Sequence, residues 1–138
     1  MEQDVGYKLK LITDKLKVRA DADLKRHKLT LSQSRVMAFL NKKGGEATQK
    51  EIEDNMQVSH PTVVGIVSRM EQNGFLETWF DPADRRNKMV RLTEKAHQLG
   101  RILEQVTKEH ERILLRSFSP VEEEELKHML DRILRNIE

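Results

Sequence analysis

The most distinctive stretch of the sequence is a short basic run in its second half. Residues 85–91 (RRNKMVR) carry four cations and no anion, although the 138-residue chain as a whole has a net charge of only +2. Clustered guanidinium and ammonium groups suit phosphate oxygens, and arginine adds hydrogen bonds of fixed geometry. Residues 81–84 (DPAD), just before the run, favour a turn. The cations are therefore predicted to lie at the tip of a loop.

A second group of polar residues falls on one face of a predicted helix that begins after Ser59. Its apolar residues recur at helical spacing and predict a buried face made of Val63, Ile66, Val67 and Met70. The opposite face is then small or able to form hydrogen bonds, and consists of His60, Pro61, Thr62, Gly65, Ser68, Arg69 and Gln72. Such a face could approach a DNA major groove closely and contact base edges.

Two residues on this face have alternative explanations. His60, in the first turn, could donate a hydrogen bond to a phosphate or to a base edge. Gly65 costs about 1 kcal/mol relative to alanine in a helix interior. It either permits close backbone approach to a ligand or is a tolerated surface glycine.

The elements that must position these residues are mostly helical. Helices are predicted over residues 4–27, from Thr30 to about residue 42, over 48–55, over 59–73, over 94–117 and from Ser119 to the end. Residues 75–80 and 88–92 predict two strands around the basic loop. This order predicts a mostly α fold with a small β-hairpin wing, the winged helix-turn-helix.

The terminal helices carry narrow apolar stripes, which are typical of helix–helix seams. They predict an N-terminal dimerisation helix at 1–29, a winged DNA-binding domain at 30–93 and C-terminal dimerisation helices at 94–138. The alternative is that residues 4–27 form an ordinary surface helix of a monomer.

Several classes of function find no support in the sequence. There is no cysteine, which excludes disulfides, thiolate metal sites and a cysteine nucleophile. No catalytic or nucleotide-binding motif is present, and the five histidines are scattered, so neither an enzyme nor a metal site is expected. No apolar run is long enough for a membrane helix, and no leader is recognisable, so a cytoplasmic protein is expected.

The sequence resembles the MarR family of winged-helix regulators. The wing is the most specific match, because the family pattern Asp-x-Arg, five residues, then Leu-Thr is met by Asp84, Arg86, Leu92 and Thr93. Residues 29–33 (LTLSQ) resemble the opening of the family's second helix, and residues 58–63 and 69–74 resemble its recognition helix. The similarity covers the whole chain. One departure is Ala96, where family members often carry glycine.

The resemblance implies roles for residues in the wing and at a helix start. Arg86 would be the wing-tip arginine that enters the minor groove. Asp84 would hold the wing loop by pairing with an arginine, unless it is a plain turn residue. Arg85, Lys88 and Arg91 would meet phosphates, although at least one of them could be a solvated strand charge.

Thr48 and Gln49 would touch phosphates at a helix N-terminus, although capping alone explains Thr48 equally well. The complete predicted DNA-contacting set is Thr48, Gln49, Ser59, His60, Thr62, Gly65, Ser68, Arg69, Asp84, Arg85, Arg86 and Lys88.

The expected function is that of a ligand-responsive repressor without a cofactor. A homodimer would bind double-stranded DNA at a pseudo-palindromic operator, with half-sites roughly 34–36 Å apart. The resemblance implies regulation by a small molecule in a crevice beside the dimer helices. Because the chain has no cysteine for thiol-based peroxide sensing, an aromatic or lipophilic effector is expected, with a role in efflux or in the response to aromatic compounds. The alternative is a repressor whose effector is not a small molecule. The alternative is a winged-helix dimer that binds protein and not DNA, which predicts an apolar exposed face on the recognition helix.

Overall fold

The structure is a computed structural model that describes all 138 residues. It contains six helices and three strands: α1 (Val5–Arg26), α2 (Leu31–Lys42), β1 (Glu46–Thr48), α3 (Gln49–Met56), α4 (His60–Gln72), β2 (Leu76–Phe80), β3 (Lys88–Leu92), α5 (Glu94–Leu115) and α6 (Pro120–Ile137). The mostly α fold class is confirmed. The chain forms two compact units, Met1–Leu103 and Glu104–Glu138.

Three helices begin with reciprocal capping boxes. In each, a hydroxyl accepts a hydrogen bond from the backbone N–H three residues later, and that later side chain accepts one from the cap backbone. The pairs are Thr30 with Gln33, Thr48 with Glu51, and Ser119 with Glu122. Each box satisfies two donors that would otherwise lack partners, so these helix starts are where the sequence predicts them.

The sheet has one strand more than the sequence predicts. Its order is β1-β3-β2, and both pairings are antiparallel. Met89 of β3 lies between Thr48 of β1 and Trp79 of β2. The wing is therefore two strands of a three-stranded sheet, and β1 joins its base to the start of α3.

One hydrophobic core holds the first unit together. Its fully buried larger side chains come from α2, α3, α4 and β3: Val36, Leu40, Ile52, Val63, Val67, Met70 and Val90. Leu24 and Leu29 add to this core from the end of α1 and the loop after it. The predicted inner face of α4 is thus confirmed, with Ile66 partly buried against the core.

The start of α5 is fixed to the end of α4 by hydrogen bonds. The hydroxyl of Thr93 donates to the Gly74 carbonyl at 2.6 Å and accepts from the Ala96 amide at 3.2 Å. Lys95 Nζ donates to the Asn73 carbonyl at 2.6 Å. Thr93 therefore caps α5, and the hairpin between α4 and α5 is closed at its base.

The second unit has no comparable interior. No residue of α6 is buried. Several of its large apolar side chains are exposed: Val121, Met129, Leu130, Leu134 and Ile137. No helix of the chain is long and apolar enough to cross a membrane.

Candidate nucleic-acid interface

Helix α4 displays the polar face that its sequence predicts. The Ser59 hydroxyl caps the helix by accepting from the Thr62 amide at 3.3 Å, and Pro61 falls in the first turn, where no intrahelical partner is needed. Because Val63, Val67 and Met70 point into the core, the opposite side faces outward. Its exposed residues are His60, Thr62, Gly65, Ser68 and Arg69.

Two details of this face refine the sequence analysis. A Cβ added at Gly65 would have no atom within 4 Å, so packing within the chain does not require glycine there. Close backbone approach of a ligand is still one of the two explanations for this glycine. Val64 is 37% exposed on the same side. Because Val64 stands beside Val63 in an apolar pair, the sequence gives no sign that it faces outward. A methyl-bearing side chain on this face can contact the thymine methyl group.

His60 forms a hydrogen bond with a residue of the neighbouring helix. Its Nδ1 forms a hydrogen bond with Oε1 of Glu53 on α3. The Glu53 side chain is only 15% exposed, whereas the imidazole is 66% exposed. Glu53 is absent from the predicted set, because nothing local in the sequence signals a contact seven residues apart across a turn.

The wing tip is organised by an aspartate–arginine fork. Asp84 accepts from Arg86 Nε at 2.9 Å and from Nη2 at 3.0 Å, and also from the Arg86 amide at 3.1 Å. These bonds hold the pKa of Asp84 below its usual value, so the carboxylate is charged throughout the neutral range. The expectation that Asp84 pairs with an arginine is met by Arg86 itself.

Arg86 remains available for a ligand despite this pairing. Its side chain is 91% exposed. A guanidinium has five N–H donors, and the fork to Asp84 uses two of them. The pair therefore orients the side chain at the tip while leaving donors facing outward.

The other wing cations are not equivalent. Arg85 is exposed at the tip, and Lys88 is partly buried at the start of β3. Arg91 lies within the sheet: its Nη2 donates to Glu77 Oε2 at 2.7 Å, and its guanidinium lies 4.9 Å from the Trp79 ring centroid. Arg91 is the strand charge that the sequence left open, because a carboxylate and a ring already engage it.

The start of α3 departs from expectation at Gln49. The Thr48 hydroxyl is used in the capping box, where it accepts from the Glu51 amide at 3.1 Å. The side chain of Gln49 is buried, at 7% exposure, and its Oε1 accepts no hydrogen bond from the chain. A phosphate contact by the Gln49 side chain does not fit this placement, because a buried side chain is shielded from a ligand outside the chain.

The winged unit also contains an open cleft of about 630 Å³ between α2, α3 and α4. Phe39, Met56 and Ile66 give it an apolar floor, Arg35 and Lys42 bring cations, and Thr62 connects it to the outward face of α4. No three His, Asp or Glu side chains gather in a group that could hold a metal ion.

Comparison with known proteins identifies the family. Residues 27–87 match the model of the MarR family. The chain is 32% identical over 118 residues to the transcriptional repressor IacR of Pseudomonas putida, covering 83% of this chain and 68% of IacR. The chain belongs to the MarR family. It is therefore a DNA-binding transcriptional regulator and not an enzyme.

Solved structures extend this relationship to the winged-helix fold as a whole. A mutant of S. aureus MepR is 25% identical, with a TM-score of 0.89 over 98% of this chain and 99% of that chain. A MepR–DNA complex is also 25% identical, with a TM-score of 0.77 over 96% of this chain and 99% of that one. The chain shares the winged helix-turn-helix fold of these MarR-family regulators.

Proposed function

We propose that this MarR-family chain is a sequence-specific repressor that binds a pseudo-palindromic operator as a homodimer. The observation that carries the proposal is the exposed polar face of α4 combined with the oriented Arg86 at the wing tip. The first would contact base edges in the major groove, and the second would enter the minor groove. The repressor name of IacR and the DNA complex of MepR support it. A DNA partner supports the expectation of a cytoplasmic protein.

Within this proposal, the predicted division at 1–29, 30–93 and 94–138 separates DNA binding from dimerisation. Exposed apolar residues on α1 and α6, such as Ile12 and Leu134, would be covered by the second copy. The dimer would then present two α4 helices to half-sites about 34–36 Å apart. A module that binds protein through α4 is less well supported, because the exposed face of α4 is polar apart from Val64.

The wing provides the decisive test. Arg86→Ala should weaken binding to an operator duplex by roughly five- to 150-fold, because a specific groove contact is lost. The slope of log affinity against log salt should decrease by about 1. Arg85→Ala should be milder, because a phosphate contact is less specific. Affinities measured across a salt series compare the two variants, and equal losses would contradict the assignment of Arg86 to the groove.

Asp84→Ala separates an organising role from a bystander role. Removing an anion near DNA should strengthen binding by simple electrostatics. We expect weaker binding, because Arg86 loses the fork that orients it. Since the pKa of Asp84 is lowered by Arg86, the fork is retained at neutral pH and is lost only as the pH falls below the usual carboxylate range near 4. Tighter binding by this variant would rule out the wing assignment.

We also propose that a small aromatic or lipophilic effector regulates binding, in efflux or in the response to aromatic compounds. The cleft between α2, α3 and α4 offers a place within the winged unit, distinct from the crevice beside the dimer helices that the resemblance implies. A ligand against Thr62 and Ile66 would disturb the outward face of α4. Benzoate or octanoate should then weaken operator binding, and Ala38→Phe, which fills the cleft, should remove the effect. Unchanged affinity with both probes would contradict an effector of this class.

A further inference from the structure

The hydrogen bond between His60 and Glu53 orients the His60 imidazole at the start of α4. An ionised carboxylate can only accept hydrogen bonds, so Nδ1 of His60 is the donor in its bond with Glu53 Oε1. The proton is thereby fixed on Nδ1, and Nε2 remains for an outside partner. The Glu53 carboxylate is shielded, whereas the His60 imidazole is largely exposed to solvent. Glu53 therefore contacts the inner side of the ring.

The protonation state of the ring decides what Nε2 can contact. In the neutral ring with a proton on Nδ1, Nε2 is an acceptor, and phosphate oxygens have no proton to give it. In the protonated ring, Nε2 is a charged donor, which forms strong hydrogen bonds to phosphate. Imidazole is the side chain whose ordinary titration falls between pH 5 and 8.

Resting on the proposed DNA-binding function, we propose that Glu53 is a positioning residue that presents protonated His60 to a DNA phosphate at the start of α4. The consequence is that operator binding takes up a proton and strengthens as the pH falls. The Glu53 carboxylate can accept from Nδ1 whether or not the ring carries its second proton, so the same hydrogen bond can orient the imidazole in both forms.

The other charged groups on the elements packed against α4 form ion pairs of their own or line the cleft. On α3, Asp54 pairs with Lys50 at 3.3 Å, and Glu51 pairs with Lys43 at 3.2 Å. On β2, Glu77 pairs with Arg91 at 2.7 Å. On α2, Arg35 and Lys42 line the cleft described above. The hydrogen bond to the His60 ring comes from Glu53.

The test uses the full chain and a duplex selected by the wild-type protein from a randomised library at pH 7. Affinity is measured from pH 5.5 to 8.5, and calorimetry in buffers of different ionisation enthalpy counts the protons taken up on binding. For the wild type, we expect affinity to rise as the pH falls, by up to tenfold per unit for each proton taken up. His60→Gln cannot titrate and should lose this proton uptake while remaining folded, since the ring is exposed.

Glu53→Leu tests the positioning role, because it removes the oxygen that accepts from Nδ1 while keeping a side chain of similar size. We expect weaker binding at low pH and a shallower profile. Asp54→Asn is the matched control, since it removes one carboxylate from the same helix and should keep the wild-type profile. Circular dichroism checks that all three variants are folded.

The outcomes separate this inference from the proposed function. If the library yields no preferred duplex, the proposed sequence-specific function fails. If the wild type binds a selected duplex but His60→Gln keeps the same proton uptake, the positioning inference fails while the function stands. A Glu53→Leu profile identical to that of the wild type would contradict the positioning role and leave Glu53 as a structural contact between α3 and α4.

Discussion

The two compact units of the chain differ in how far they bury their apolar side chains. The unit Met1–Leu103 has a closed core, in which Leu40, Ile52 and Met70 have no exposed surface, although its helix α1 leaves apolar residues such as Ile12 exposed. In the unit Glu104–Glu138, Met129 is 55% exposed and Leu134 is 52% exposed, on a helix with no buried residue. The core of the winged fold is thus closed within one chain, whereas the apolar stripe on α6 is exposed and available to a partner. DNA contact and assembly should therefore respond to different substitutions.

The largest effect is expected where the winged core is closed. Ile52→Ala should lower the free energy of unfolding by about 2–5 kcal/mol, because a fully buried side chain leaves a cavity. Urea denaturation followed by circular dichroism measures it. Lys50→Ala, on the exposed side of the same helix, is the control and should change stability by no more than about 0.5 kcal/mol. Equal effects would show that the core is not closed as described.

A smaller effect on stability, but a large one on assembly, is expected in α6. Leu134→Glu should raise the dimer dissociation constant at least tenfold, or about 1.4 kcal/mol, because a charge would enter an apolar contact. Analytical ultracentrifugation would then detect a 16.2 kDa species. Arg132→Glu, on the polar face of the same helix, should remain dimeric. A wild-type chain that is already monomeric at micromolar concentration would contradict the proposed dimer.

The smallest effect is expected at Gln49, on the border between core and interface. Gln49→Leu removes a buried oxygen that accepts no hydrogen bond from the chain, and an unsatisfied buried polar group costs about 1–3 kcal/mol. Stability should stay constant or rise, and operator affinity should change less than about twofold. A loss of affinity comparable to that of Arg86→Ala would restore the phosphate contact that the sequence predicts.

What the sequence predicts well here is local. The capping box of Ser119 and Glu122 spans four residues. The helical spacing of Val63, Val67 and Met70 determines which face of α4 is buried. The signals that fail are those that depend on distant partners. Strand β1 has three residues, too few for a visible alternation, and exists because β3 pairs with it.

The same reasoning explains the differences at the candidate site. The position of Gln49 at a helix start is local and visible, but its burial depends on how α3 packs against the sheet. The contact of Glu53 with His60 depends on the angle between two helices, which no local pattern records. By contrast, Asp84 and Arg86 are two residues apart, and their pairing follows from the loop itself.

The contact of Arg91 with Trp79 has a practical consequence for spectroscopy. Trp79 is the single tryptophan of the chain, and it lies on β2 beneath a guanidinium. Its emission therefore reports on the surroundings of β2 without any label. A wing that shifts when a partner arrives would change the distance between indole and cation, and with it the quantum yield.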